Sequence, residues 1–279
     1  MKTVAAALRA ATQSLQARSD TAALDAQVLL AEVCGRGRAW LLAHGDRPLT
    51  PPQARRFSAL VARRAQGEPL AYIRRRQAFF DRDYHVSPAV LIPRPESEQL
   101  LELALAHAPP DFSGTLAEIG TGSGALGIAF AALRPHARVI LTDISPAALA
   151  VARVNARRNG VNPTFLQGDL LQPLLARGAR VDLLLANLPY VRSEDLPGLE
   201  VSRHEPWIAL DGGPDGLALI RRLLRDLPRV CQPGALALLE IGMLQGAEAL
   251  RLARALRPRQ VRVLPDLAGL DRVLHVHLQ

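Results

Sequence analysis

Cysteine, lysine and long apolar runs are all scarce in this sequence of 279 residues. The two cysteines, Cys34 and Cys231, lie far apart and match no metal-ligand spacing, which excludes a disulfide or zinc framework and favours a reduced, cytoplasmic setting. No apolar run reaches the roughly 18 residues of a membrane span, and no signal-peptide pattern is visible. We therefore expect a globular protein without a membrane partner, with a core drawn from its 49% of hydrophobic residues.

Arginine supplies nearly all of the positive charge, since Lys2 is the single lysine, and this charge is unevenly distributed. Residues 1–76 contain 13 Lys and Arg against 5 Asp and Glu, whereas residues 77–279 contain 21 of each. The net charge of +8 therefore lies in the first 76 residues. Segregated charge of this kind can steer an acidic partner to one end of a molecule, and an ordinary solvated, arginine-rich surface is the alternative.

The spacing of apolar residues divides the chain into three segments. Residues 1–76 are predicted to form a small helical bundle, because apolar positions recur at helical spacing in VAAALRAATQSLQA, AALDAQVLLAEV and ARRFSALVARRAQ. Residues 77–94 alternate aromatic and polar residues and then become rich in proline, which predicts a β-hairpin linker. Residues 95–279 form the third and largest segment.

Short aliphatic runs alternate with helical segments from Leu116 onward. The predicted strands are LAEI, ARVILT, PTFLQ, VDLLLA and ALALLEI, and the predicted helices are ALGIAFAALR, SPAALAVARVNARRNG, GLALIRRLLRDL and GAEALRLARAL. This alternation predicts an α/β fold with a mostly parallel sheet covered on both faces. RQVRVLP and DRVLHVHLQ are predicted to close the sheet as an antiparallel pair.

A glycine-rich loop, GTGSG, follows the first predicted strand and precedes a helix. Gly120, Gly122 and Gly124 let the backbone turn sharply and approach a ligand with no Cβ in the way. A loop at this end of the first strand is where nucleotide-like ligands bind in open α/β sheets. The loop therefore predicts a ligand site.

Two ligands compete for this loop. Gly122, Gly124 and Gly127 satisfy the G-x-G-x-x-G dinucleotide pattern with Asp143 about 20 residues further on, which indicates a nicotinamide-dependent dehydrogenase. An acid followed by G-x-G-x-G, here beginning at Glu118, is instead typical of S-adenosylmethionine sites. Both ligands place an acid such as Asp143 on ribose hydroxyls, so this residue does not discriminate.

The third predicted strand ends in another acid, in the sequence QGDLL. Asp169 at this position is suited to meet an adenine amino group, with Leu170 covering the ring. A helix N-cap is the alternative role for Asp169. The strand end therefore supports a nucleotide-like ligand without proving one.

The fourth predicted strand, in LLLANLPYV, discriminates between the two ligands because it ends on Asn187, Leu188, Pro189 and Tyr190. An amide or exocyclic amine is a poor nucleophile, since its lone pair is delocalised. The Asn187 side-chain oxygen and the Leu188 carbonyl can accept its two N–H groups and aim that lone pair at a methyl carbon, while Tyr190 stacks on the planar group. A dehydrogenase has no use for such a clamp, so the pattern favours methyl transfer to nitrogen.

The sequence resembles the release-factor glutamine methyltransferases, the PrmC/HemK family. NLPY stands where this family has N-P-P-Y, and the other matching segments are LDAQVLLAEVCGRGRAWLLAHGD, VSPAVLIPRPESE, EIGTGSG, EPWIALDGGPDGL and DLAGLDRVL. The resemblance implies a small N-terminal helical substrate-docking domain, a β-hairpin linker and a seven-stranded Rossmann-like methyltransferase domain. It also implies that the methyl group of S-adenosylmethionine goes to the glutamine side chain of the Gly-Gly-Gln motif in class-1 peptide-chain release factors.

The site residues follow from the strand ends together with this resemblance. The predicted cofactor-binding residues are Gly120, Thr121, Gly122, Ser123, Gly124, Asp143, Asp169, Leu170 and Asn187. The predicted substrate-binding and catalytic residues are Asn187, Leu188, Pro189 and Tyr190. Arg94, Glu96 and Glu205 match family-typical positions without an assigned role. Leu188 departs from the family, which has proline there.

Three rival functions remain. An N-methyltransferase of DNA or RNA would use the same clamp on a base amine, although no recognisable nucleic-acid module accompanies the basic first 76 residues. A dehydrogenase is the second rival, and a binding protein without chemistry is the third, which the intact Asn187 and Pro189 oppose. The histidines follow no metal spacing, so no metal is expected. We further expect a monomer that does not bind nucleic acid.

Overall fold

The structure, a computed structural model, describes residues 3–279. The chain forms two compact units, Met1–Arg76 and Gln77–Gln279. Among the described residues, no helix is both long and apolar enough to cross a membrane.

The first unit is a helical bundle, as predicted. Leu15, Leu29 and Leu41 are fully buried in its core, with Phe57 beside them. Two short helices were not predicted, because five or six residues are too few to show a helical period. The helices are α1 (Val4–Leu15), α2 (Ala22–Cys34), α3 (Arg38–Ala43), α4 (Pro51–Ala65) and α5 (Leu70–Arg74).

The second unit begins with an antiparallel hairpin of β1 (Gln77–Phe79) and β2 (Arg82–Tyr84). The remaining strands are β3 (Thr115–Ile119), β4 (Arg138–Asp143), β5 (Thr164–Gln167), β6 (Val181–Ala186), β7 (Cys231–Glu240), β8 (Gln260–Pro265) and β9 (Asp271–His277). The helices of this unit are α6 (Glu98–His107), α7 (Ala125–Leu133), α8 (Pro146–Arg158), α9 (Gln172–Ala176), α10 (Ala218–Asp226) and α11 (Gly246–Arg254).

Seven strands form one sheet in the order β5-β4-β3-β6-β7-β9-β8. Strands β3 to β7 are parallel, and β9 pairs antiparallel with both β7 and β8. Successive residues of the central strands face opposite sides, so Leu116 joins the core under one face of the sheet and Ala117 joins the core under the other. Burial on both faces explains why these strands read as continuous aliphatic runs. The predicted fold class is confirmed.

The chain reverses direction across the sheet at β3, whose neighbours β4 and β6 lie on either side. Ligands of open α/β sheets bind at the carboxyl ends of the strands beside such a reversal. The ends of β3, β4 and β6 carry Gly120, Asp143 and Asn187 respectively. The topology therefore brings the predicted clamp and the glycine-rich loop to one edge.

Candidate active site

A cavity of about 430 Å³ lies at this edge, a volume suited to a drug-sized ligand. Gly124 and Tyr190 are predicted site residues that do not line it. The predicted residues that do line it are Gly120, Thr121, Gly122, Ser123, Asp143, Asp169, Leu170, Asn187, Leu188 and Pro189.

The glycine-rich loop takes a backbone path that other residues rarely adopt. Gly120, Gly122 and Gly124 have φ angles of 70°, 54° and 81°, in the left-handed region that favours glycine. A Cβ on Gly122 would meet no atom within 4 Å, whereas a Cβ on Gly120 would lie 3.0 Å from Leu188 Cδ2. Gly122 therefore leaves open space for a ligand, and Gly120 makes room for the buried Leu188 side chain.

Asp143 at the end of β4 holds the loop in place. Its Oδ2 accepts from the Gly122 N–H at 2.8 Å, and its Oδ1 accepts from the Ser145 N–H at 2.8 Å. Burial raises the pKa of Asp143, and these backbone donors oppose the rise. A carboxylate offers about four acceptor positions, so Asp143 retains capacity for ligand hydroxyl groups on the cavity side.

Glu118 is a buried acid in the wall of the cavity. Its Oε2 accepts from Thr121 Oγ1 at 2.6 Å and from the Gly127 N–H at 3.0 Å. Burial raises the pKa of Glu118 to about 7, although both hydrogen bonds oppose the rise. Ionisation of Glu118 therefore costs folding free energy, and a cationic ligand in the cavity would offset that cost.

Asp169, which follows β5, forms an ion pair with Arg222 on α10. The alternative role of Asp169 as a helix N-cap is not seen, because Leu171 precedes the first residue of α9 and no side chain caps that helix. Leu170 has a φ of 47°, an uncommon value for a residue with a side chain. Both Asp169 and Leu170 lie on the cavity wall.

Asn187 presents one end of its amide to the protein. Its Nδ2 donates to Ser97 Oγ at 2.8 Å, and Ser97 Oγ in turn donates to Glu240 Oε2 at 2.6 Å. Within residues 3–279, no group donates to Asn187 Oδ1. The acceptor end of this amide is therefore available in the cavity.

Tyr190 is the residue of the clamp that does not line the cavity. Its hydroxyl donates to Glu240 Oε1 at 3.2 Å, and its carbonyl accepts from Gln245 Nε2 at 2.9 Å. A Cβ on Gly216 would come within 2.3 Å of that same carbonyl. Tyr190 is thus held at its hydroxyl and at its carbonyl, and its stacking on a substrate stays a prediction.

Two groups of residues near the cavity make side-chain contacts that the sequence did not predict. Ser97 and Glu240 bond to the clamp from 90 and 50 residues away along the chain, so no local motif connects them. Glu205 accepts from the Ile92 N–H at 2.9 Å and forms an ion pair with Arg94. That pair gives a structural role to two positions that the sequence marked only through resemblance.

Asn155 joins the hairpin to the glycine-rich loop. Its Oδ1 accepts from the His85 N–H at 2.6 Å, and its Nδ2 donates to the His85 and Ser123 carbonyls at 2.9 and 2.8 Å. The side chain is fully buried on α8. It therefore fixes the distance between the chain that follows β2 and the wall of the cavity.

The residues present fit S-adenosylmethionine. The cavity combines an open position at Gly122 with the acceptors Asp143 and Glu118, which suit ribose hydroxyls and a cationic centre respectively. Leu170 adds an apolar surface beside Asp169. Within residues 3–279, no cluster of three or more His, Cys, Asp or Glu side chains could hold a metal ion.

Two family models match the chain: the PrmC N-terminal domain over residues 6–74 and the methyltransferase small domain over residues 97–198. The release factor glutamine methyltransferase of Moorella thermoacetica is 48% identical over 253 residues, which are 89% of each chain. That of Cereibacter sphaeroides is 42% identical over 275 residues, 98% of this chain and 97% of its own.

A solved structure shares the fold. The T. thermophilus 16S rRNA N2 G1207 methyltransferase, in complex with AdoMet and guanosine, superposes with a TM-score of 0.54 at 18% identity. The match covers 73% of this chain and 50% of that one.

Proposed function

This chain belongs to the family of release factor glutamine methyltransferases, and from that premise we propose the reaction that it catalyses. It transfers a methyl group from S-adenosylmethionine to the side-chain amide nitrogen of the glutamine in the Gly-Gly-Gln motif of class-1 peptide-chain release factors. Membership of this family sets aside the dehydrogenase and the binding protein without chemistry. The observation that carries the proposal is the Asn187 amide, tied by Nδ2 to Ser97 and presenting Oδ1 beside the glycine-rich loop.

The cofactor is held by the carboxyl ends of three strands. The loop from Gly120 to Gly124 would border the amino-acid portion, Asp143 would accept from the ribose hydroxyls, and Asp169 with Leu170 would contact the adenine. When bound, S-adenosylmethionine supplies a methyl group whose bond to sulfur breaks as the bond to nitrogen forms. Glu118 lies at 3% exposure in this wall and favours the positive charge of the donor.

The clamp orients the nucleophile. Asn187 Oδ1 and the Leu188 carbonyl accept the two N–H groups of the substrate amide, so that its lone pair points at the methyl carbon. Pro189 restricts Leu188 to the extended region and stiffens that carbonyl. No general base is needed, since the methylated amide loses a proton to water.

The rim of the cavity is apolar. Trp207 and Ile208 line it and are 51% and 59% exposed, a contact surface suited to a protein loop. The basic unit Met1–Arg76 docks the body of the substrate, and the enzyme acts as a monomer in the cytoplasm without a nucleic-acid partner. The rival substrate, a base amine of DNA or RNA, remains an outcome of the test below.

The test offers labelled S-adenosylmethionine with release factor, tRNA, rRNA and DNA in parallel. We expect label on the release factor alone, and none on a release factor whose Gly-Gly-Gln glutamine is replaced by alanine. Asn187→Ala removes one of the two acceptors, so the activation free energy should rise by ~2–4 kcal/mol. This rise corresponds to a fall in kcat of roughly 30- to 900-fold, while the cofactor Kd changes only a few-fold. Label on nucleic acid, or full activity of Asn187→Ala, would overturn the proposal.

A further inference from the structure

Four polar side chains form a chain of hydrogen bonds that ends at the clamp. Asn187 Nδ2 donates to Ser97 Oγ at 2.8 Å, and Ser97 Oγ donates to Glu240 Oε2 at 2.6 Å. The other oxygen of Glu240 accepts from the Tyr190 hydroxyl at 3.2 Å. Ser97 and Glu240 are 4% and 1% exposed, so water does not replace these partners.

The direction of these bonds is determined by Glu240. A carboxylate can only accept, so Ser97 must give its single hydroxyl proton to Glu240. Ser97 Oγ is then left as an acceptor, and an acceptor can pair only with the NH₂ end of the Asn187 amide. The oxygen of that amide must consequently point away from Ser97, toward the cavity.

Burial and the neighbouring groups act on the ionisation of Glu240 in opposite directions. Burial, together with the negative charge of Glu96, raises the pKa of Glu240, whereas the hydroxyls of Ser97 and Tyr190 and the positive charge of Arg272 oppose the rise. Arg272 itself forms an ion pair with Asp266 at 3.0 Å. The two hydroxyls that donate to Glu240 each stabilise its ionised form.

We propose that Ser97 and Glu240 are positioning residues that fix which end of the Asn187 amide faces the substrate. The alternative orientation would present an NH₂ group to the substrate N–H group that Asn187 Oδ1 otherwise accepts, so that donor would face donor. An asparagine without this support can adopt either orientation, because the two ends of the amide are nearly equal in size. This inference rests on the proposed function, in which Asn187 Oδ1 accepts from the substrate.

The kinetic test uses four variants. Ser97→Ala should lower kcat roughly tenfold, with the cofactor Kd unchanged, because the amide loses the partner that orients it. Ser97→Thr keeps the hydroxyl and should restore kcat to within about twofold. Glu240→Gln should give an intermediate loss, since its carboxamide can present either a donor or an acceptor to Ser97. In the Asn187→Ala background, Ser97→Ala should have no further effect, because the residue acts through Asn187.

Ser202→Ala is the matched control. Ser202 is also buried, but its hydroxyl donates to the Leu196 and Leu199 carbonyls at 2.7 and 2.8 Å. We expect a similar loss of thermal stability and a kcat within about twofold of the parent. An equal kcat loss in Ser97→Ala and Ser202→Ala, or the same loss for Ser97→Ala with and without Asn187, would overturn the positioning role.

A second readout does not depend on the substrate. In ¹⁵N spectra of the whole enzyme, the side-chain NH₂ signal of Asn187, identified by its loss in Asn187→Ala, should exchange slowly with water because it is bonded to Ser97. Ser97→Ala should make this exchange fast, whereas Ser202→Ala should not. Fast exchange in the parent enzyme would refute the orientation itself. Slow exchange in an enzyme that does not methylate release factor would instead refute the proposed function alone.

Discussion

Glu118 is a residue whose charge is costly to the fold. It lies beneath the glycine-rich loop at 3% exposure, and burial raises its pKa to about 7. An unfolded chain ionises a glutamate near pH 4.5. Between these two values the folded state holds a proton that the unfolded state has lost, so stability falls as the pH rises through this window. Above pH 7 the full cost is present.

Glu118→Gln should therefore stabilise the protein at high pH. The change from about 4.5 to about 7 corresponds to ~3 kcal/mol of unfolding free energy, which the variant avoids at pH 8 and not at pH 4. Thermal melts at the two pH values measure this difference. The same variant should bind S-adenosylmethionine more weakly, because its carboxamide no longer offsets the positive charge of the ligand.

The comparison with S-adenosylhomocysteine, which lacks that charge on sulfur, is the control. Its affinity should change less than that of S-adenosylmethionine. Equal melting temperatures of Glu118→Gln and the parent at pH 8 would contradict the conclusion that the ionised, buried Glu118 lowers stability.

At the scale of elements, the segment that runs from the end of β3 into α7 contains glycines of two different kinds. A Cβ on Gly122 would meet open space, whereas a Cβ on Gly127 would lie 2.3 Å from Leu141 Cδ2 and 2.8 Å from Glu118 Oε2. Gly127 thus lets α7 pack closely on the sheet. Gly122 keeps the cavity clear for a ligand.

Replacement by alanine should accordingly affect mainly stability at Gly127 and mainly cofactor binding at Gly122. Gly127→Ala forces α7 away from β4 and should cost ~1–3 kcal/mol of stability. Gly122→Ala should lower stability less, by ~1 kcal/mol of backbone strain, and should weaken cofactor binding more. Thermal melts and calorimetric Kd values separate the two effects. A larger loss of stability in Gly122→Ala than in Gly127→Ala would contradict this assignment.

The sequence predicts an element or a site when the residues that define it are neighbours along the chain. It does not predict one that depends on contacts between residues far apart in the sequence. The central strands were predicted because burial on both faces leaves an aliphatic run, as in residues 183–186 of β6. Helix α9 (Gln172–Ala176) was not predicted, because five residues carry no period. Asn187 was recognised from its neighbours, whereas its support from Ser97 and Glu240 depends on side chains far along the sequence. Only the tertiary fold brings those three together, because Ser97 precedes α6, Asn187 follows β6 and Glu240 ends β7.

At the scale of the whole molecule, the uneven distribution of charge bears on how fast a partner associates. Arg9, Arg18, Arg55 and Arg56 are exposed in the first unit and form no ion pair within the described residues. Side chains of this kind contribute little to stability. Their summed potential can instead raise the rate at which an acidic partner arrives.

Changing these four arginines together to glutamine should raise KM for the release factor several-fold, leaving cofactor Kd and melting temperature nearly unchanged. Added salt should reduce the activity of the parent more than that of the variant, because screening removes the same attraction. The control changes four exposed arginines of the second unit, namely Arg157, Arg158, Arg254 and Arg259. An equal effect in both sets would leave no docking role for the first unit.

The order of strands in the sheet also bears on synthesis of the chain from its N-terminus. Strand β8 is made before β9, yet β9 lies between β7 and β8. A growing chain therefore holds β8 without a partner in the sheet until Asp271–His277 has been added. During that interval the backbone groups of β8 and the open edge of β7 are both available for wrong pairings. The last strand to join is thus the one that closes the sheet, and β7, which carries Glu240, gains its second neighbour only then.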